Sequence, residues 1–182
     1  LRALPVDFGR LKKLRYVSLN RNRLETIPPS IRKCGQLQVL RADKNKFEIL
    51  PQPLSLCQTL QEMSFSDNKI STVGMLFSKM KGLRKLFLER NNLVSIPQVF
   101  MEWTSLTSLH LKGNQLVQLP LNFTGLLRIK IAEFDWDHLV LPPPEVAKQG
   151  NQVVLDYLWQ MTLALKRMVI CAHLATYLQP NL

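Results

Sequence analysis

Asparagine recurs every 23 residues along this chain, each time inside the same frame of apolar positions. Apolar residues stand eight, five and three positions before each asparagine, and another stands two positions after it. The five asparagines are Asn22, Asn45, Asn68, Asn91 and Asn114. The alternating apolar positions predict a short strand, and a fixed period of this length predicts a solenoid whose repeats pack on their neighbours.

The second half of each repeat is equally regular. An apolar residue and a proline stand five and six positions after the asparagine in four of the five repeats. These pairs are Ile27-Pro28, Leu50-Pro51, Ile96-Pro97 and Leu119-Pro120, with Val73-Gly74 as the exception. Proline fixes φ and has no N–H to give to a hydrogen-bonded ladder, so this side of the repeat is predicted to form short turns or 3₁₀ segments.

The repeated phrase LxxLxLxxNxL, with its LPxxF second half, resembles the leucine-rich repeats of intracellular Ras-suppressor-type and Scribble-type proteins. The resemblance covers about residues 1–141, or about six repeats. It implies an α/β solenoid: a leucine-rich repeat horseshoe with a parallel sheet on the concave face, short turns and 3₁₀ segments on the convex face, and a C-terminal capping helix. In this family the repeated asparagines bond backbone groups where the chain leaves its strand, so the five are predicted to form a structural ladder.

Both ends of the repeat array depart from the pattern. In a sixth, degenerate copy, Asp137 takes the place of asparagine and can accept hydrogen bonds but not donate them. At the other end Leu1, Leu4, Phe8 and Leu11 match core positions of the next repeat, while the strand that should precede Leu1 is missing. We therefore expect residues 1–141 to be an N-terminally truncated solenoid within a longer protein.

The sequence after Leu141, PPPEVAKQGNQVVLDYL, predicts a capping helix over residues 142–161. The apolar residues expected to pack it onto the last repeat are Val146, Val153, Val154, Leu155, Tyr157 and Leu158. The segment is similar to the helix that follows the repeats in Roco-type proteins. Residues 162–182 are predicted to be a helical extension or a poorly ordered tail. A membrane span is disfavoured because Lys166 and Arg167 would each cost about 2.5 to 3.5 kcal/mol there.

The net charge of +11 is concentrated near the start of the chain, where residues 1–50 hold twelve Lys or Arg against four acidic residues. Several of these basic residues flank the asparagines, and we call them the basic rim: Arg21, Arg23, Lys44, Lys46, Lys69 and Arg90. A solvated rim that keeps the protein soluble is one interpretation. Attraction to an acidic protein, or weak contact with an anionic membrane, is the other. Nucleic acid is not expected, because no recognition motif accompanies the charge.

The sequence contains few candidates for chemistry. His110, His138 and His173 are not spaced as a metal site, and the three cysteines form no CxxC pair. Phosphate-binding loops and the common hydrolase motifs are also missing from the sequence. We therefore predict no enzyme activity, no cofactor, no metal and no small-molecule substrate, and the absence of a cysteine-rich cap favours the cytoplasm.

The outward positions of the predicted strands are the candidate binding surface, because side chains alternate along a strand. The candidate partner-binding residues are Tyr16, Asn20, Arg41, Asp43, Glu62, Lys85, Phe87, Glu89, His110, Lys112, Glu133 and Trp136. Exposed aromatic residues and arginine are common in binding hot spots. The sequence thus predicts a non-catalytic module that binds a protein partner on the concave face, in a signalling or scaffold complex.

The resemblance to Ras-suppressor-type and Scribble-type repeats implies a small GTPase, a phosphatase or a polarity scaffold as partner. The resemblance of the terminal helix implies the alternative, a recognition or autoinhibitory arm of a larger Roco-type GTPase or kinase. The sequence does not identify the partner, the oligomeric state, the full domain composition or the pathway.

Overall fold

The computed structural model describes residues 1–120, 122–123, 126, 128–135 and 138–177. Six strands form one parallel sheet in the order β1 to β6. They are β1 (Tyr16–Ser18), β2 (Val39–Arg41), β3 (Glu62–Ser64), β4 (Lys85–Phe87), β5 (Ser108–His110) and β6 (Ile131–Glu133). Tyr16 lies opposite Val39, and Val39 opposite Glu62, so each strand is in register with the residue one repeat later. The predicted parallel sheet is confirmed.

The convex side consists of short 3₁₀ helices, as the prolines predicted. They span Phe8–Arg10, Pro29–Lys33, Gln52–Leu56, Met75–Lys79 and Gln98–Glu102. Pro28, Pro51 and Pro97 directly precede three of these helices, and Gly74 takes the same place before the fourth. The residue before each of these four helices has an extended backbone, which proline adopts readily.

The apolar frame of the repeats forms one continuous core between the sheet and the 3₁₀ helices. The central strand residues Leu40, Met63, Leu86 and Leu109 are fully buried. At the N-terminal end, the structure corrects the sequence expectation for the first turn. Phe8 is half-buried, while Leu1 and Leu11 are exposed. In this chain the first turn packs on the following repeat only, so its other side faces solvent.

The residue before each asparagine of the ladder has a left-handed backbone. Arg21, Lys44, Asp67 and Arg90 have φ values of 59°, 56°, 56° and 50°, and Gly113 has φ 76°. This conformation costs an L-residue with a side chain roughly 1–2 kcal/mol. The turn is nevertheless repeated five times, and it directs three members of the basic rim, Arg21, Lys44 and Arg90, outward into solvent.

The chain after the sheet is helical. Helix α1 spans Pro144–Ala147 and helix α2 spans Asn151–Tyr177, running through residue 161 where the sequence placed the end of the capping helix. Val154 and Leu158 of α2 are buried, but Val153 is 37% exposed and does not pack on the last repeat as predicted. Val153 precedes Val154 by one position and therefore lies about 100° around the helix from it, on the solvent side. Among the described residues, no helix combines the length and the apolar character that crossing a membrane requires.

Candidate functional site

The outward side chains of the six strands form three rows across the concave face, which we call the concave grid. The first row contains Tyr16, Val39, Glu62, Lys85, Ser108 and Ile131, and the second contains Ser18, Arg41, Ser64, Phe87, His110 and Glu133. The third row follows directly after the strands and contains Asn20, Asp43, Ser66, Glu89, Lys112 and Asp135. Adjacent members of a row come from adjacent strands, about 4.8 Å apart, so they are neighbours on this face.

An ion-pair cluster occupies the N-terminal half of the grid. Arg41 donates to Glu62 Oε1 from Nε (3.1 Å) and from a terminal nitrogen (2.8 Å), while Lys85 Nζ lies 3.7 Å from Glu62 Oε2. The Arg41 guanidinium carbon also lies 6.0 Å from the centre of the Tyr16 ring. The hydrogen bond to Glu62 raises the pKa of Arg41. Four of the predicted residues, from four different repeats, therefore form one charged and aromatic patch.

Asn20 and Asp43 act mainly on the backbone of the next repeat. Asn20 Oδ1 accepts from the Asp43 N–H (2.8 Å), and Asp43 Oδ1 accepts from the Ser66 N–H (2.9 Å) and from the Ser64 hydroxyl. Ser64 and Ser66 are buried, although their positions were predicted to face the open groove. Both serines lie on the concave side, but neighbouring polar side chains cover them. The third row therefore stabilises the turns as well as presenting a surface.

A second cluster occupies the C-terminal half of the grid. The rings of Phe87 and His110 stack with centroids 4.6 Å apart and planes 22° apart. His110 Nδ1 lies 2.9 Å from Glu133 Oε2 and 3.9 Å from Glu89 Oε1, and its Nε2 lies 2.7 Å from the Ser108 hydroxyl. Phe87 therefore contacts the face of the imidazole, the two glutamates lie at its Nδ1, and Ser108 lies at its Nε2.

The remaining candidates lie at the end of the grid. Lys112 is exposed, and Asp135 Oδ2 accepts from the Gly113 N–H at 2.6 Å. Trp136 and Asp137 lie outside the described residues, so Trp136 stays a prediction from the sequence. In addition, a groove of about 310 Å³ crosses the third row, with Asn20, Ser66, Glu89 and Arg90 among its lining residues.

One member of the basic rim is paired. Arg90 donates to Asp67, with a terminal nitrogen 2.8 Å from Oδ2, across one repeat period. This hydrogen bond lowers the pKa of Asp67 and raises the pKa of Arg90. Both residues occupy the left-handed position of their repeats, so the pair links two successive turns.

The asparagines of the ladder bond to the chain on both sides of each turn. Asn68 is representative: its Oδ1 accepts from the Phe47 N–H (3.1 Å), and its Nδ2 donates to the carbonyl oxygens of Ala42 (3.0 Å) and Phe65 (2.9 Å). Asn45, Asn91 and Asn114 make the same set of bonds in their own repeats. Asn22, in the first repeat, donates from Nδ2 to the carbonyl oxygens of Leu19 (2.8 Å) and Asn20 (3.1 Å).

The two described cysteine thiols lie inside the core. Cys34 and Cys57 are buried and unpaired, and Cys57 Sγ lies 3.7 Å from the Ile31 carbonyl oxygen. Burial raises the pKa of both thiols, that of Cys57 to about 11. Neither residue belongs to the concave grid.

Comparisons with known proteins agree with this architecture. Sequence profiles described as leucine-rich repeats match residues 13–34 and 58–116. A leucine-rich repeat protein of Leptospira interrogans is similar, with 29% identity and a TM-score of 0.59 over 76% of this chain and 41% of that one. The leucine-rich repeat ectodomain of the plant membrane receptor kinase GASSHO1/SCHENGEN3 from Arabidopsis thaliana, in complex with Casparian strip integrity factor 2, shares 26% identity. That match has a TM-score of 0.62 and covers 73% of this chain and 17% of the receptor.

A third similar structure is the plant peptide hormone receptor RGFR1 in complex with RGF2, with 25% identity and a TM-score of 0.58 over 73% of this chain and 26% of that one. The chain thus spans less than half the length of each of these structures. No curated protein matches the sequence. These findings support a leucine-rich repeat protein, and its fold is a leucine-rich repeat solenoid with a terminal helix.

Sequence reasoning placed Glu89, His110 and Glu133 on one face but missed that they converge. Metal-binding and catalytic sequence motifs have short spacings, whereas these residues are separated by 21 and 23 positions. The signal was present in the repeat frame, because residues 110 and 133 share one row and residue 89 lies in the neighbouring row of the preceding strand.

Proposed function

We propose that this chain is a non-catalytic interaction module that binds a protein partner on its concave grid. The observation that supports this most directly is the patch of Tyr16, Arg41, Glu62 and Lys85, in which aromatic and charged side chains from four repeats touch one another. Tyr16 is 52% exposed although it stands on a strand, so a large aromatic side chain is available to a partner. Aromatic and arginine side chains in a preorganised surface are the usual anchors of an interface.

The grid is also braced by hydrogen bonds. Its third row is bonded to the backbone of successive repeats, as Asp43 shows by accepting from Ser66. A partner that binds such a surface loses less free energy to ordering side chains than one that binds mobile loops. Two of the similar structures were determined in complexes with another molecule, which supports the same use of this fold.

We further propose a cytoplasmic signalling or scaffold setting, with a small GTPase or a phosphatase as partner. This proposal comes from the Ras-suppressor-type and Scribble-type form of the repeats. It is tested by measuring binding of the purified chain to small GTPases in both nucleotide states and to phosphatase catalytic subunits. If none binds under conditions where an independently captured partner does, this partner class is wrong while the binding function stands.

The interface itself is tested with two double variants on that captured and purified partner. Arg41→Ala with Phe87→Ala removes one anchor from each cluster of the grid, and should weaken affinity by about 2 kcal/mol, or roughly thirtyfold. The thermal midpoint must be compared in parallel, because Phe87 also stacks on His110. Lys12→Glu with Lys13→Glu changes an exposed convex turn and is the matched control.

The control variant should slow association modestly, mainly at low salt, since distant surface charges act on encounter rather than on the bound state. If the grid variant keeps full affinity while the turn variant loses binding at physiological salt, the interface lies on basic residues outside the grid. Contact with an anionic membrane is tested by sedimentation with neutral and anionic vesicles at low salt. Equal sedimentation with both would end that part of the proposal.

The alternative is a recognition or autoinhibitory arm of a larger Roco-type GTPase or kinase. Helix α2 supports this alternative because Val154 and Leu158 cover the apolar end of the array and the helix continues to Tyr177. A phosphate-binding loop encoded after this chain in the full reading frame would favour the alternative. A reading frame without such a loop would favour the interaction module over this alternative.

A further inference from the structure

Three potential metal ligands meet at the C-terminal end of the concave grid. Glu89 follows β4, His110 ends β5 and Glu133 ends β6, and one ligand atom from each lies within 4.8 Å of the other two. His110 Nδ1 is the centre of the group, 2.9 Å from Glu133 and 3.9 Å from Glu89. Parallel pairing of three consecutive strands thus delivers one donor each to the same point in the groove.

The donor separations suit a small divalent cation. In a tetrahedral zinc site with bonds of roughly 2.0 to 2.1 Å, neighbouring donor atoms lie about 3.3 Å apart. The two distances from His110 fall on either side of that value, so small rotations of the glutamate side chains would complete the geometry. All three donor atoms lie within 4.8 Å of one another, and a cation between the two carboxylates would offset the repulsion of their like charges.

The groups around the cluster orient the donors. The Ser108 hydroxyl at His110 Nε2 can accept its proton, and this tautomer leaves the Nδ1 lone pair directed at the two carboxylates. Three electron-rich atoms facing one another are unfavourable unless a proton or a cation lies between them. The Ser66 hydroxyl donates to the other oxygen of Glu89, and Phe87 stacks on the imidazole, so two of the three donors are held in place.

The position of the cluster is neither fully buried nor fully open. The side chains of His110 and Glu89 are 13% and 20% exposed, whereas that of Glu133 is 51% exposed. Partial burial strengthens the attraction between a cation and the carboxylates, and the exposed side gives the ion a path from solvent. Arg90 follows Glu89 in the chain and interacts with it electrostatically, but its guanidinium is paired with Asp67.

We propose that Glu89, His110 and Glu133 form a site for a divalent transition metal, with zinc as the best match to one imidazole and two carboxylates. Three protein ligands leave a fourth position that faces the concave groove, open to water or to a side chain of a bound partner. The site does not rest on the proposed binding function, since it requires nothing but residues of this chain. If a partner does bind on the grid, the open position is where its own ligand would reach the ion.

The test is a calorimetric titration of the metal-free 182-residue chain with zinc chloride at pH 7.5. Wild type should bind one equivalent, and His110→Ala and Glu133→Gln should each weaken that affinity at least tenfold, since even the loss of a supporting group typically costs 10- to 100-fold. His138→Ala is the matched control because it removes an exposed histidine outside the cluster. Its affinity should equal that of wild type, and all four proteins carry the same cysteines.

The Glu133→Gln variant keeps the experiment decisive if His110→Ala is unstable, because Glu133 is exposed and its amide counterpart has the same shape. Circular dichroism and the thermal midpoint establish that each variant is folded. The proposal is wrong if wild type binds no stoichiometric zinc, or if the folded Glu133→Gln variant binds it as tightly as wild type. The second result would show that zinc associates with other surface carboxylates or with thiols.

Discussion

Replacement of Asn68 by alanine should be one of the most destabilising polar substitutions in this chain. Asn68 is buried in a central repeat, where its Oδ1 accepts from the Phe47 N–H and its Nδ2 donates to the carbonyl oxygens of Ala42 and Phe65. Alanine removes every one of these bonds at once. It does so without adding bulk, so steric strain does not contribute.

Loss of the Oδ1 bond and loss of the Nδ2 bonds cost different amounts of free energy. The Ala42 carbonyl also accepts from Asn45, and the Phe65 carbonyl also accepts from Asn91, so each keeps a partner in the variant. The Phe47 N–H loses its acceptor in a buried place, which costs about 1 to 3 kcal/mol. The lost bonds to the carbonyls add roughly 0.5 to 1.5 kcal/mol, giving a total of about 1.5 to 4.5 kcal/mol.

Asn92→Ala is the matched control for this measurement. Asn92 stands in the same repeat as Asn91, but it is exposed and its Nδ2 reaches the Lys69 carbonyl only at 3.5 Å. Its loss should change stability by no more than about 0.5 kcal/mol. Urea unfolding of the two variants and wild type should therefore give one shifted midpoint with unchanged m-values. If the midpoints of Asn68→Ala and Asn92→Ala coincide, the asparagine does not stabilise the turn and the reasoning fails.

Three further outcomes are expected. Cys57, whose pKa is raised to about 11, should react with a thiol reagent at pH 8 on the order of a hundredfold more slowly in the native chain than in denaturant, and equal rates would contradict its burial. The pKa of Asp67 is lowered, so its pairing with Arg90 stabilises the fold fully above the unfolded-state pKa near 3.9. This stabilisation is lost as pH falls through the lower pKa of the folded chain. Asp67→Asn should thus cost up to about 1 kcal/mol at pH 7 and nothing at pH 2, whereas the same cost at both would exclude a charge effect. Gly113→Ala should cost about 1 to 2 kcal/mol in urea unfolding, because φ is 76° and the new Cβ would lie 2.7 Å from Arg90 Cγ, while Gly35→Ala meets nothing within 4 Å and should be near neutral.

The sequence was sufficient to predict the fold because one physical requirement is repeated in every turn. Leu40, Leu86 and Leu109 occupy the same place in their repeats, and each is fully buried, so a single alignment of the frame fixes all three. The prolines before the 3₁₀ helices predicted the convex side for the same reason. The repeat frame wrongly assigned Leu1 and Leu11 to the core, because the first turn has a neighbouring repeat on one side only.

Exposure on the concave side was harder to predict than the fold, because it depends on the neighbouring repeats as well as on the strand itself. Ser66 faces away from the core, as its position indicated, yet it is buried by its bonds to Asp43 and Glu89. The strand pattern specifies the side of the sheet on which a residue lies. It does not specify whether the next row contains a side chain long enough to cover it, and that decides how much of the grid a partner can touch.

The convergence of Glu89, His110 and Glu133 follows from a property of the solenoid that motif searches do not use. In a helix, ligands of one site are commonly three or four positions apart, but in a sheet of parallel repeats the neighbours of a residue are one period away. Here the separations are 21 and 23 residues, which equal one period or one period less the two positions between rows. Ligands that come from adjacent strands of this face are therefore about one period apart in the sequence. Polar residues in adjacent strands of one row, or of neighbouring rows, are the sequence signal of such a site on this fold.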